Sequence, residues 1–125
     1  MDSKYKALNI IGISLGIILA LFFMQTKLMV IKFDGVGETS CDSDSMGLTL
    51  NCRDKIYYNY VSKNEPLELG MIYLYKKDNK IIIHRLVQCL DENCSIAVFK
   101  GDNNYIAEFV NRTQIIKKVE WVNYR

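Results

Sequence analysis

An uncharged apolar run near the amino terminus limits what this chain can fold into more than any other feature. Residues 7–24 read ALNIIGISLGIILALFFM, and a helix of that length spans about 27 Å, close to the roughly 30 Å hydrocarbon core of a bilayer. No polar stripe interrupts the run, which argues against a buried helix of a soluble domain. No small-x-small site ends it, which argues against a cleaved secretory signal. We therefore expect an uncleaved transmembrane anchor over residues 7–24.

The charges on either side of the run indicate an orientation. Residues 1–6 carry Lys4 and Lys6, and basic residues next to a span tend to stay in the cytoplasm. Residues 25–125 are long enough to be translocated whatever their charge. The sequence thus predicts a single-pass protein of the cell membrane, with a cytoplasmic tail over residues 1–6 and an extracytoplasmic domain over residues 25–125.

Composition narrows the classes of partner and the redox compartment. A net charge of +2 in 125 residues gives no basic face for nucleic acid. All four cysteines follow the predicted anchor, at Cys41, Cys52, Cys89 and Cys94. They suffice for two disulfides, and a bond across the base of the 89–94 loop is geometrically plausible. A zinc site, free buried thiols and the other pairings stay open as alternatives.

Short β-type patterns dominate the rest of the chain, which favours an antiparallel β domain, a curled sheet or partial barrel, behind the one N-terminal transmembrane helix. Turn sequences separate the apolar runs. Residues 34–51 form a polar loop that is unusually long for a compact domain, and such loops are commonly functional. The predicted strands cover residues 28–33, 55–60, 71–75, 80–90, 94–100 and 114–122.

The single histidine, His84, lies in one of these apolar strands, either as an ordinary core histidine or as a general base on a rigid platform. A base of this kind needs a nucleophile and an acid beside it. The neighbouring apolar residues 72–74 and 81–83 could line a substrate groove or simply form the core. Spacing alone does not choose among the candidates, which are Ser40, Ser43 and Ser45 as nucleophile and Asp102 and Glu108 as acid.

Four blocks in order along the chain resemble type I signal peptidases, in the archaeal and endoplasmic-reticulum branch that uses histidine as the base. The family shows SGSM after the anchor, a strand that begins GD-I/V, then HRV, then KGDNN and a further acid. This chain reads SDSM at residues 43–46, LGMI at 69–72, HRL at 84–86 and FKGDNN at 99–104. The resemblance covers residues 43–108 and the anchor.

The resemblance implies a membrane-anchored serine endopeptidase that removes signal peptides from exported preproteins and needs no cofactor or metal. By position, Ser45 matches the nucleophile and His84 the general base. Ser43, together with the backbone N–H of Ser45, matches the oxyanion site. Of the two candidate acids, Asp102 matches the carboxylate within GDNN, and Glu108 matches the later one that usually orients the histidine.

Several positions depart from the family pattern. The glycine between the two serines is Asp44, the aspartate of the GD block is Met71, and the later acid is a glutamate. These changes bear on rate and specificity more than on fold. A catalytically impaired relative that binds peptides or a partner is therefore an alternative, as is a self-cleaving repressor-type Ser/Lys protease, against which the anchor and the histidine argue. The expected partners are preprotein signal peptides and the lipid bilayer, and the sequence leaves open whether accessory subunits are needed.

Overall fold

The computed structural model describes residues 12–21 and 32–124, which belong to two separate units divided after Lys32. Residues 12–21 are helical. Among the described residues, no helix is long and apolar enough to cross a membrane. The predicted anchor, residues 7–24, extends past this helix at both ends into residues outside the described part. Most of the predicted strand 28–33 also lies outside it, and residues 32 and 33 are not in a strand.

The unit that begins at Phe33 is a curled antiparallel sheet, so the predicted mostly-β fold class is confirmed. Its strands occur across the sheet in the order β1-β2-β7-β3-β4-β5-β6. A 3-10 turn, Arg112–Gln114, leads into the last strand. The strands are β1 Gly35–Glu38, β2 Lys55–Tyr60, β3 Ile72–Lys77, β4 Lys80–Cys89, β5 Ile96–Lys100, β6 Glu108–Asn111 and β7 Ile115–Asn123.

The β3–β4 hairpin sets the register of the central strands. Its two turn residues, Asp78 and Asn79, have φ of 52° and 61°, as a two-residue type I′ turn requires at both central positions. The turn places Tyr73 opposite His84 and Tyr75 opposite Ile82. Because side chains alternate between faces along a strand, both tyrosines share the face of His84.

Two apolar clusters pack on opposite faces of β3. The first core cluster lies on the His84 face and consists of Tyr73, Tyr75, Leu86, Cys94, Ala97, Phe99, Val110 and Ile115. The second core cluster consists of Met46, Leu50, Ile56, Ile72 and Val119. Ile72 and Tyr73 are therefore core residues. Tyr73 is fully buried, so the suggestion that it lines a substrate groove is wrong.

Both disulfides join cysteines that are neighbours in sequence, Cys41–Cys52 and Cys89–Cys94. The second is the expected bond across the 89–94 loop. All four cysteines lie in the described part of the chain and all are paired, so the alternatives of a zinc site and of free thiols are both wrong. The first disulfide closes the base of the loop that contains Ser43 and Ser45.

Candidate active site

A tight turn inside the loop that the first disulfide closes positions Ser45. The amide of Gly47 donates to the carbonyl of Asp44 at 2.8 Å, and the amide of Leu50 donates to that of Met46 at 2.6 Å. Met46 is buried in the second core cluster. The side chain directly after Ser45 is thus fixed in the core, which leaves Ser45 half-buried at the surface of the turn.

The loop after β5 holds this turn from the other side. The amide of Asn103 donates to the carbonyl of Ser45 at 2.8 Å, and the side-chain amide of Asn103 donates to the carbonyl of Asp44 at 3.1 Å. A Cβ atom on Gly101 would lie 2.5 Å from the carbonyl oxygen of Ser45. Glycine is therefore required at position 101 for so close an approach, which explains the first residue of the GDNN block in structural terms.

Ser45 and His84 meet across this junction. Oγ of Ser45 lies 3.0 Å from Nε2 of His84, within the 2.6–3.2 Å reach that proton transfer to a general base requires. His84 is 9% exposed and lies on β4, which pairs with β3 on one side and β5 on the other. The two residues are 39 positions apart in sequence, so only the fold brings them together.

On its far side, the His84 ring contacts a tyrosine. The hydroxyl of Tyr75 lies 2.9 Å from Nδ1 of His84 and donates a hydrogen bond to Oε1 of Glu108. Oε1 of Glu108 is itself 3.9 Å from Nδ1. Glu108 is thus close to the imidazole, but the tyrosine hydroxyl stands between the two groups.

Burial and charge set the protonation states here. Burial lowers the pKa of His84 below its ordinary value, against the opposing effect of the Glu108 and Asp102 charges. Burial also disfavours the ionised form of Glu108, but the hydrogen bonds from Tyr75 and Lys77 outweigh it and the pKa of this carboxyl is lowered. Nζ of Lys77 lies 2.9 Å from Oε2 of Glu108. Near neutral pH the site therefore holds a neutral imidazole and an ionised glutamate.

The other candidate acid, Asp102, is held elsewhere. Its two carboxylate oxygens accept hydrogen bonds from Nε and Nη2 of Arg85 at 2.9 and 2.8 Å, and one of them also accepts from the Thr49 hydroxyl. Arg85 follows His84 on β4 and so points to the opposite face of the sheet. The structure thus brings Glu108 to the imidazole, and joins Asp102 to the turn that positions Ser45.

The remaining predicted serines have different settings. The hydroxyl of Ser43 accepts a hydrogen bond of 3.3 Å from the amide of Ser45, so the two expected oxyanion donors are neighbours. That bond is long, and a negatively charged oxygen can displace it because charge-assisted hydrogen bonds are the stronger kind. The hydroxyl of Ser40 accepts from the amide of Asp42 at 3.0 Å and serves the local turn.

Tyr75 and Lys77 belong to the site but were not singled out from the sequence. A signal for Tyr75 was present. The residues between β3 and β4 include a two-residue Asp-Asn turn, which fixes the register of a hairpin. This register pairs Tyr73 with His84 and Tyr75 with Ile82. Ile82 is two residues before His84 on β4, so Tyr75 lies on the same face of the sheet as His84. Lys77 carried no comparable signal, because its partner Glu108 lies 31 residues away on β6.

Comparison of the chain with protein-family models, with curated proteins and with solved structures finds no match. Within residues 12–21 and 32–124, no group of three or more metal-binding side chains is close enough together to hold an ion. What the described residues do offer is a hydroxyl, an imidazole and a carboxylate linked by hydrogen bonds, which is an arrangement suited to nucleophilic catalysis.

Proposed function

We propose that the protein is a membrane-anchored serine endopeptidase of the type I signal peptidase kind, which removes signal peptides from exported preproteins. The observation that carries the proposal is the 3.0 Å separation of Ser45 Oγ and His84 Nε2. The ordered SDSM, HRL and FKGDNN blocks support it, because they contain these two residues and the loop that holds them. In a signal peptidase of the histidine branch, the same positions carry the nucleophile and the base.

The chemistry follows from the protonation states. Neutral His84 accepts the proton of Ser45 at Nε2 while the serine oxygen attacks the scissile carbonyl carbon. The resulting imidazolium gives that proton to the departing amine, and the acyl group stays on Ser45. Water then attacks the ester with His84 again as base, which releases the carboxyl product and restores the serine. The negative charge of Glu108 favours the imidazolium in both halves of the reaction.

The oxyanion of each tetrahedral intermediate would lie between the amide of Ser45 and the hydroxyl of Ser43. Both groups are close together in the structure, and the hydroxyl proton of Ser43 is not used in accepting from that amide. Loss of one oxyanion donor typically costs about 3–4 kcal/mol of transition-state stabilisation. We therefore assign Ser43 a supporting role in the proposed site.

The proposed location is the outer side of the cell membrane, with residues 7–24 as the anchor and residues 1–6 in the cytoplasm. Two disulfides support a domain in an oxidising compartment. An anchor would hold the site near the membrane surface, where a signal helix also ends, and so raise the effective concentration of the scissile bond. Exposed apolar side chains on the loops beside the site suit an apolar peptide, with Leu48 78% exposed and Ile106 83% exposed.

The decisive experiment compares cleavage of a signal-bearing preprotein by the detergent-solubilised full chain and its variants. Ser45→Ala and His84→Ala should each lower kcat/KM by at least about 10³-fold. Ser40→Ala is the matched control, since it removes a hydroxyl from the same loop but one that only caps Asp42. Cleavage at the wild-type rate by either Ser45→Ala or His84→Ala would rule out the proposed mechanism.

A further inference from the structure

The hydroxyl of Tyr75 lies between His84 and Glu108 and contacts both side chains. The imidazole and the carboxylate are therefore joined through the tyrosine and not by a direct hydrogen bond. Tyr75 is fully buried in the first core cluster, and its ring packs against Phe99 with centroids 4.7 Å apart. The ring therefore has no room to swing away, and its hydroxyl stays 2.9 Å from Nδ1 of His84. Such a fixed polar atom can determine which nitrogen of the imidazole carries the proton.

The Tyr75 hydroxyl has one proton for two hydrogen bonds, one with Glu108 and one with His84, and this fixes the direction of both bonds. The Glu108 carboxylate is ionised and can only accept, so the single hydroxyl proton of Tyr75 is donated to Oε1. The Tyr75 oxygen must then act as acceptor toward Nδ1, which requires a proton on Nδ1. In a neutral imidazole Nε2 is then unprotonated, and it faces Oγ of Ser45.

We propose that Tyr75 is a positioning residue, which relays the carboxylate of Glu108 to His84 and fixes the Nδ1–H tautomer that leaves Nε2 free to accept the proton of Ser45. The kinetic part of this inference rests on the proposed peptidase function. The tautomer itself does not, because it follows from three hydrogen bonds that exist without substrate.

Two features of the surroundings support a relay. Burial, and after it the hydrogen bond to Glu108 and the charge of that carboxylate, strongly raise the pKa of Tyr75, so the hydroxyl keeps its proton near neutral pH. Lys77 binds the other oxygen of Glu108, which keeps the carboxylate ionised and hence an acceptor. A relay requires both a protonated Tyr75 hydroxyl and an ionised Glu108 carboxylate, whereas a tyrosine that only filled the core would require neither.

The chain offers an unusually direct test, because it contains one histidine. The full chain, labelled with ¹⁵N-histidine and purified without a polyhistidine tag, gives imidazole signals from His84 alone. Above the His84 pKa, the wild type should show predominantly the Nδ1–H tautomer. Tyr75→Phe should lose that preference, and kcat for preprotein cleavage should fall by about 10- to 100-fold with KM little changed.

Tyr73→Phe is the matched control. Tyr73 is a second fully buried tyrosine on β3, but its hydroxyl accepts from the backbone amide of Glu68 at 2.9 Å. Its loss should leave the tautomer and kcat as in the wild type. If Tyr75→Phe does not fold, Glu108→Gln on the partly exposed β6 tests the same relay. A glutamine can donate its NH₂ to the tyrosine oxygen and free the tyrosine proton for Nδ1, so the fraction of Nδ1–H should fall.

A double-mutant cycle separates the relay from direct action by Glu108. If Glu108 acts through Tyr75, adding Glu108→Gln to Tyr75→Phe lowers kcat little further, whereas independent effects would multiply. A wild-type Nε2–H tautomer, or a Tyr75→Phe protein that keeps the wild-type tautomer, would overturn the relay. Absence of preprotein cleavage by the wild type would instead count against the peptidase proposal, and the tautomer measurement would still decide the role of Tyr75.

Discussion

Arg85 binds both carboxylate oxygens of Asp102, and this pair fastens the turn that contains the candidate nucleophile. The guanidinium also donates to the carbonyl of Gly70 at 2.6 Å, so it joins the turn just before β3 to the loop after β5. On the other side, Asp102 accepts from the hydroxyl of Thr49, and its amide contacts the sulfur of Met46 at 3.3 Å. The HR pair at positions 84 and 85 thus serves both faces of β4, with the imidazole on one and the fastening guanidinium on the other.

Replacing Asp102 should therefore affect stability, while replacing Glu108 should affect the base. Asp102→Asn removes a bidentate, charge-assisted pair and should lower the free energy of unfolding by about 2 kcal/mol. Glu108 lies on an edge strand. Glu108→Gln should therefore lower the free energy of unfolding less than Asp102→Asn does, but lower kcat more. Urea unfolding and preprotein cleavage of the two variants check this. A larger loss of kcat in Asp102→Asn, with unfolding unchanged, would mean that Asp102 serves His84.

Low pH should weaken the ion pair between Arg85 and Asp102. The hydrogen bonds from Arg85 hold the pKa of Asp102 below its ordinary value, although burial opposes them. The ionised carboxylate is thus favoured by folding, and its contribution is present above the unfolded pKa of about 3.9 and lost as pH falls through the lower folded pKa. The difference in melting temperature between wild type and Asp102→Asn should be largest near pH 6 and shrink below pH 4. If the difference in melting temperature grew below pH 4, the ionised Asp102 would not be what stabilises the fold.

The pH–rate profile should show a histidine base with a lowered pKa. Only neutral His84 can accept the serine proton, so kcat/KM should rise with pH and level off, with a midpoint below the ordinary value of about 6.5. Among the nearby charges, Glu108 and Asp102 raise this pKa and Lys100 lowers it. Glu108→Gln should therefore move the midpoint further down. A midpoint several units above 6.5 would instead point to a lysine base.

The central strands could be predicted from sequence because their signals are local. The residues of β2 are those predicted, and β3, β4, β5 and β7 each begin and end within two residues of the expected bounds. Their Ile, Val and Tyr content and their tight turns lie within each segment. The two missed strands, β1 and β6, form the edges of the sheet. Each has four residues, and pairing to one neighbour determines them more than their own composition does.

The choice between the two acids could not be made from sequence for a related reason. Glu108 shares the face of His84 because it pairs with Phe99, which in turn pairs with Leu86, two residues after His84. That inference needs two registers that no short turn fixes, and one of them depends on the unpredicted β6. The order of the motifs selects Ser45 from the three serines as the proposed nucleophile, and the structure places its hydroxyl 3.0 Å from Nε2 of His84.

Gly101 offers a test of how closely the two loops must approach. A methyl group there would lie 2.5 Å from the carbonyl oxygen of Ser45 and 3.0 Å from its Cβ, so Gly101→Ala must displace the serine. A shift of about 1 Å at a reacting group can cost about 10²-fold in rate, and we expect a loss of kcat of this order. Gly37→Ala is the control, because its nearest contact would be an ordinary 3.7 Å. Equal kcat in the two variants would show that Ser45 tolerates the shift.

The two disulfides should differ in what their removal does. Cys41–Cys52 closes the loop that contains Ser43 and Ser45, with a sequence separation of 11, and a loop of this size is stabilised by about 3 kcal/mol in the chain-entropy account. Replacing both cysteines by alanine should therefore loosen the nucleophile and lower kcat together with the free energy of unfolding. The control is the double alanine variant of Cys89 and Cys94. That bond closes a shorter loop, with a separation of 5, between β4 and β5.

The two double variants can be compared in one set of measurements. Preprotein cleavage well below the melting temperature of each variant separates loss of the site from loss of the fold. We expect the 41/52 variant to cleave at least about 10-fold more slowly than the wild type at such a temperature, because the turn around Ser45 is no longer closed at its base. The 89/94 variant should have a lower melting temperature than the wild type, but the same kcat at temperatures at which it is folded. The opposite ranking of kcat would indicate that the packing of Met46 and the bonds from Asn103 hold the turn without the disulfide.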